Sequence, residues 1–140
     1  MSEPHWEHLP HGADIGVCGF GRSKAEAFEQ AAIALTAVIT DPQSISGTVP
    51  VEVECAAADD ELLLVEWLNA IIYEMATRKM LFASFAVRID GNKLTGKAWG
   101  EPIDLDKHEA AIEVKGATCT SLKVVEDAKG WWRAQCIVDV

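Results

Sequence analysis

The hardest oxygen donors lie near the two ends of the sequence. Asp14 opens an alternating segment whose same-face neighbours, Gly16 and Cys18, are small, and His11 precedes it by three residues. Asp139 and the α-carboxylate of Val140 put two anionic groups within one residue at the other end. If the first and last strands pair, three carboxylates converge, a donor set suited to calcium, magnesium or manganese. The alternative is plainer: Asp14 caps a bend, and Asp139 ends a strand in solvent. A second candidate set is His5, His8 and His11, spaced three apart with Glu3 and Glu7 beside them, which suits a transition metal. Pro4 and Pro10 keep a regular helix from aligning all three.

Other near-motifs fail on context. Gly91-Asn92-Lys93-Leu94-Thr95-Gly96-Lys97-Ala98 comes within one residue of a phosphate-binding loop, but Ala98 stands where a magnesium-binding hydroxyl belongs. Such a loop must also run from strand into helix, and this one lies in a hairpin. Gly16, Gly19 and Gly21 have the wrong order for a dinucleotide turn, and Gly19 and Gly21 read as turn punctuation. Cys18, Cys55, Cys119 and Cys136 form no CxxC pair and sit in apolar, strand-like surroundings. They read as buried, reduced thiols.

The elements that would position these residues follow from periodicity. Ala13, Ile15 and Val17 alternate with polar or small residues, a strand. Ser23-Lys24-Ala25-Glu26 is a capping box that pairs Ser23 with the Glu26 N–H and the Glu26 carboxylate with the Ser23 N–H. It opens a helix whose apolar stripe runs from Phe28 to Ile39 and stops at Asp41-Pro42. Val49, Val51, Val53 and Cys55 form a strand that Pro50 marks as a start or an edge. Asp59 caps a second helix carrying Leu64, Trp67, Leu68, Ile71, Ile72 and Met75, ending near Arg78-Lys79. Phe82 to Ile89 turns at Asp90-Gly91-Asn92 into Lys93 to Trp99, a hairpin. Strands over 111–117, 121–125 and 131–138 follow, with a turn at 127–130. Short connections favour antiparallel pairing. The expected fold is therefore α+β: a curved antiparallel sheet with two helices packed on one face. Residues 1–140 form a single domain, of which 1–10 are a polar N-terminal arm.

Composition narrows the function. The chain has 140 residues, the size of one domain, and carries 12 Lys and Arg against 22 Asp and Glu, a net charge of −10. Clustered positive charge is what phosphate backbones and anionic membranes attract, so direct binding to either is disfavoured. The most apolar stretch, Leu62 to Met75, is interrupted by Glu66, Asn69 and Glu74 and is too short to span a bilayer. No basic-then-apolar leader opens the sequence, and a cytoplasmic location is expected.

An ordered set of short motifs carries a resemblance. His11-Gly12-Ala13-Asp14-Ile15-Gly16, Ser23-x-x-Glu26-Ala27-Phe28 and Leu62-Leu63-x-x-Glu66-Trp67-Leu68-Asn69 come first. Gly100-Glu101, Glu113-Val114-Lys115-Gly116-Ala117-Thr118 and Val138-Asp139-Val140 follow. Together they resemble archease from His11 to the last residue. The resemblance implies an activator of the GTP-dependent RNA-splicing ligase that promotes ligase guanylylation and repeated turnover in tRNA splicing or RNA repair. It also implies a divalent cation, calcium first, held by Asp14, Asp139 and the Val140 carboxylate, and a role in activation for Lys115. Gly12 stands where the family often has threonine, and Cys119 and Thr120 where it often has tyrosine and histidine.

Two other readings remain. A free-standing hydrolase would use Asp14 and Asp139 as metal ligands and His11 as general base. A general chaperone would need an exposed apolar patch. On the activator reading, strong acidity favours encounter with a basic ligase surface, and no catalysis by the chain itself is expected.

Overall fold

Alternation begins earlier than the polar composition of the N-terminus suggests. In the computed structural model, which describes residues 3–110 and 112–140, β1 (His5–His11) turns at Gly12-Ala13 and pairs antiparallel with β2 (Asp14–Gly21). Residues 5–10 are thus a strand and not a free arm. Trp6 packs against the core, and Pro10 is tolerated because β1 is the edge strand.

The Ser23 hydroxyl accepts from the Glu26 N–H at 3.1 Å and opens α1 (Lys24–Ile39). The Glu26 carboxylate reaches one residue further back than expected, accepting from the Arg22 N–H at 2.7 Å. Asp41 then caps a short 3₁₀ turn at Pro42–Ser44. β3 (Val49–Ala56) leads to α2 (Asp60–Arg78), where the Asp59 carboxylate accepts the Leu62 N–H at 2.8 Å. The hairpin of β4 (Met80–Asp90) and β5 (Lys93–Pro102) follows. Gly96 lies inside β5, so the phosphate-loop reading fails as expected. A Cβ there would stand 2.5 Å from the Trp67 ring, which uses the glycine as its seat.

The last third is less regular than its sequence promised. A short helix, α3 (Leu105–His108), is capped by Asp104, whose carboxylate accepts from the Asp106 and Lys107 N–H groups. The strand expected over 111–117 contracts to β6 (Gly116–Ala117). Residues 112 to 115 take no regular structure, and only Val114 among them is buried, so there is no alternating face to hold a longer strand. Ala111 lies outside the described residues. β7 (Lys123–Glu126) and β8 (Trp132–Asp139) complete the chain.

The expected α+β architecture is present, with its antiparallel strands divided between two sheets. One has the order β1-β2-β8-β6, with β7 pairing further along β8; the other is β3-β5-β4. Helices α1 and α2 pack against both and bury one continuous cluster that includes Phe28, Leu35, Trp67, Phe82 and Val138. The glycines of β2 are packing residues within a strand, not turn punctuation. At Gly19 a Cβ would lie 2.0 Å from the Ala27 carbonyl oxygen, so only glycine lets α1 come this close. All four cysteines are free; Cys18 and Cys136 are buried, Cys55 is half-buried and Cys119 is exposed. The expectation of four buried thiols fails at Cys119 because residues 118–122 form a loop and not a strand.

Candidate functional site

Pairing of β2 with β8 joins the two ends of the sequence. Ile15 stands opposite Val138, so the next rung places Asp14 beside Asp139. Alternation puts both on the same side of the sheet. That side is opposite α1, because Gly19, on the other face of β2, meets Ala27 and Ala31. The Val140 N–H donates to Asp14 Oδ1 at 3.4 Å. Across the other edge of β8, the Lys115 N–H donates to the Asp139 carbonyl at 2.7 Å.

The segment bearing Lys115 is fastened on both sides. Asn69 of α2 accepts the Ala117 N–H at 2.9 Å, and both the backbone N–H and the hydroxyl of Thr118 donate to the Ile137 carbonyl. Asp14, Asp139, Val140 and Lys115 thus share one corner of the molecule. Asp14 is half-buried, while Asp139 and Lys115 are exposed. Among the described residues neither aspartate has a lysine, arginine or histidine within ion-pair distance, Lys115 included.

The donor set fits a hard cation: carboxylate oxygens on adjacent strand ends, with no internal counter-charge. Among the described residues no group of three or more His, Cys, Asp or Glu side chains gathers to hold a metal. The corner contributes two, so any cation held here draws further oxygens from the Val140 carboxylate, the backbone or another molecule.

The histidines do not form a second site. His5 stacks on Phe20 at 4.6 Å between ring centroids and contacts Glu7 at 3.1 Å. His8 lies on the opposite face of β1, where its Nε2 donates to the Ala34 carbonyl of α1 at 2.7 Å. Strand alternation separates them, and His8 is an anchor between β1 and α1. His11 pairs with Asp14 across the turn and is exposed.

One polar cluster escapes sequence reasoning. Glu101 accepts from Lys107 Nζ at 2.8 Å, from the Ser46 N–H at 2.7 Å and from His108 Nε2 at 2.9 Å. The Asp104 N–H donates to His108 Nδ1 at 2.9 Å, which places the imidazole proton on Nε2, facing Glu101. His108 is 2% exposed, and its carbonyl accepts from the Thr40 hydroxyl. Hydrogen bonds from Lys107, Ser46 and His108 hold the Glu101 carboxyl down to about 2. Asp104 as a helix cap, three residues before Lys107, was the available signal for α3; nothing in the sequence paired Glu101 with His108.

Two antiparallel sheets wrapped around two helices, with an uncompensated anionic corner where the chain's ends meet, define a small α+β protein. Comparison with known proteins places it. The Archease protein family (MTH1598/TM1083) matches residues 6–140. The chain is 39% identical over 139 residues to Protein archease of Pyrococcus furiosus, covering 96% of this chain and 98% of that one. It is 37% identical over 137 residues to Protein archease of Sulfolobus acidocaldarius, with the same coverages. The fold is similar to the solution structure of a Methanobacterium thermoautotrophicum protein, with TM-score 0.84, 32% identity, and 96% and 98% of the two chains covered. A crystal structure from Thermotoga maritima, described as an archease and possible chaperone, shares the fold at TM-score 0.61 and 18% identity, over 96% of each chain. The chain belongs to the archease family. No described helix is long and apolar enough to cross a membrane.

Proposed function

We propose that this protein is a non-catalytic, cytoplasmic activator of a GTP-dependent RNA ligase, promoting guanylylation of the ligase and its repeated turnover in tRNA splicing or RNA repair. Family membership supports an activator. One observation carries the reading further: Asp14, Asp139 and the segment bearing Lys115 meet at a single corner whose carboxylates have no partner cation within the described residues.

Asp14, Asp139 and the Val140 carboxylate would hold a divalent cation, with calcium first because irregular oxygen sets suit it, and magnesium or manganese as alternatives. When bound, the ion supplies a Lewis-acid point that orients anionic oxygens. Lys115, exposed and anchored through its backbone to Asp139, offers its ammonium to an anionic group on the partner. The net charge of −10 draws the protein toward a basic RNA-binding surface and raises the encounter rate.

The test is ligase guanylylation, with divalent-cation affinity measured by calorimetry in parallel. Wild type, Asp14→Asn, Asp139→Asn and a form extended beyond Val140 are compared. Wild type should stimulate guanylylation, and each aspartate variant should lose cation affinity and activation together. Wild-type behaviour of both aspartate variants removes the site, and full activation by the extended form removes the terminal carboxylate. Hydrolysis of nucleotide or RNA by pure protein, abolished by Asp14→Asn, would replace the activator with a hydrolase.

A further inference from the structure

An apolar groove of about 390 Å³ runs between the C-terminal half of α2, the start of β4 and residues 103–114. Ile72, Met75 and Leu81 line its interior, and Ile103, Leu105 and Ile112 stand at its mouth. Leu105 is 70% exposed, and Ile103 and Ile112 are exposed as well. Aliphatic side chains projecting beside an apolar cavity mark a surface that another molecule covers.

The wall of the groove is built, not loose. The Ile103 N–H donates to the Lys79 carbonyl at 2.9 Å, and Asp104 is tied to His108. His108 and Lys107 are in turn held by Glu101, and Thr40 bonds the His108 carbonyl. Leu105 is therefore presented to solvent by a fixed scaffold. Charge on the same segment selects the occupant. Asp104, Asp106, Glu109 and Glu113 oppose Lys107, whose ammonium Glu101 already holds. Lys79 is the one cation among the groove-lining residues. The mouth is apolar and its surroundings are anionic.

Position links the groove to the carboxylate corner. Glu113 and Val114 line the groove, and the next residue, Lys115, bonds through its N–H to Asp139. The edge of the groove at Val114 is thus one residue from the backbone contact with Asp139.

We propose that this groove docks an apolar segment flanked by lysine or arginine and belonging to the partner ligase, and that docking there brings the carboxylate corner to the ligase. The inference rests on the activator reading above, and its test separates the two. Ligase guanylylation is titrated with wild type, Leu105→Asp, Ile112→Asp, the charge reversal Asp106→Lys/Glu113→Lys, and Asp14→Asn. Leu105→Met is the conservative control, and thermal melts verify folding of every variant; the groove positions are exposed, so the fold should persist there. The groove variants should raise the concentration needed for half-maximal activation at least tenfold while leaving the maximum unchanged, with Leu105→Met near wild type. Asp14→Asn should lower the maximum and leave the half-point unchanged.

A direct arm uses a labelled synthetic peptide of leucine and lysine at helical spacing, its leucine–glutamate counterpart, and amide chemical-shift mapping. The basic peptide should bind, shift residues around Met75, Leu105 and Ile112, weaken with salt and lose affinity tenfold with Leu105→Asp. Wild-type half-points in all groove variants overturn the docking site and leave the activator standing. Equal binding of both peptides, shifts elsewhere, or a self-association that Leu105→Asp abolishes without changing activation also overturns it. If wild type activates no ligase, the activator reading falls and the peptide arm alone decides the groove.

Discussion

Trp67 and Asp139 lie at opposite extremes of how this chain treats a polar atom. Trp67 is wholly buried, its Nε1–H donates to the Phe28 carbonyl at 3.1 Å, and its ring meets Phe85 edge-on at 6.0 Å. Thr36, equally buried, donates its hydroxyl to the Phe82 carbonyl at 2.9 Å. The interior leaves little for anything else to do, as close packing and hydrogen-bond satisfaction demand. At the corner, Asp14 and Asp139 stand on neighbouring strands with no cation of the described chain to balance them. Like charges set side by side weaken the fold slightly. Trp67 and Thr36 are satisfied within the chain, although Arg133 Nε is buried without a partner among the described residues. On the activator reading, the complement of the unbalanced pair lies outside the chain.

The contrast breaks most visibly at Trp67. Trp67→Ala empties a seat formed by Gly96, Phe85 and Phe28, and should cost about 3–5 kcal/mol in urea unfolding, typical of large-to-small changes at aromatic core sites. A cost below about 1 kcal/mol, the scale of an ordinary point substitution, would mean that the interior is not close-packed around this ring.

Next in size is the corner. Asp139→Asn keeps the shape of the side chain while removing charge, and should lower divalent-cation affinity at least tenfold, or about 1.4 kcal/mol. Its unfolding free energy should stay within about 0.5 kcal/mol of wild type, since removing one of two facing charges relieves repulsion. Loss of folding stability without loss of cation affinity would make the aspartates structural, and the contrast with Trp67 would vanish.

Legibility in the sequence follows the same division. The helices were readable because their information is local: Ser23 and Asp59 cap them, and apolar stripes at helical spacing run through Phe28 and Trp67. Asp14 and Asp139 were candidates by residue type, but their proximity depends on β2 pairing with β8 across nearly the whole chain. Such pairing is tertiary, and short alternating runs do not name their partners. β1 was hidden by two prolines and three histidines, whose polar character masked an alternation that puts Trp6 and His8 toward α1. The groove was invisible because residues 103–110 carry neither helical nor strand periodicity, Ile112 and Val114 read as part of a strand, and the wall is fixed by Lys79 and Thr40, both distant in sequence, together with Glu101.

A smaller effect sharpens the corner's chemistry. Lys115 is exposed, and the contact that ties it to the corner is made by its backbone N–H. Lys115→Ala should therefore alter stability by less than about 0.5 kcal/mol. On the activator reading it should reduce ligase activation several-fold with cation affinity unchanged. Lys115→Arg, which keeps the charge, should restore part of the loss. Unchanged turnover with the alanine variant would reduce this residue to a solvated lysine.

The smallest expected effect lies in the groove wall and concerns acid. Glu101 titrates near 4.5 in an unfolded chain, but hydrogen bonds from Lys107, Ser46 and His108 hold it down to about 2 here. Because the folded value is the lower one, ionised Glu101 favours the folded wall. That contribution is complete above pH 4.5 and fades as the pH falls toward about 2. Glu101→Gln keeps an acceptor for the same donors and abolishes the titration. The variant should be slightly less stable than wild type at neutral pH, and the gap should close as acid protonates wild-type Glu101. Asp127, also held low by the Trp131 and Lys129 N–H groups, leaves a residual acid slope in both proteins. The sensitive readout is local: protection of the Asp104 and His108 amides against exchange, relative to the intrinsic rate at each pH, should fall in acid for wild type and change less for the variant, because the Glu101–His108 contact keeps them in place. Parallel exchange profiles across that range would show that Glu101 does not hold the wall. Leu105 would then owe its exposure to the Asp104 cap, the Lys79 carbonyl and the Thr40 hydroxyl.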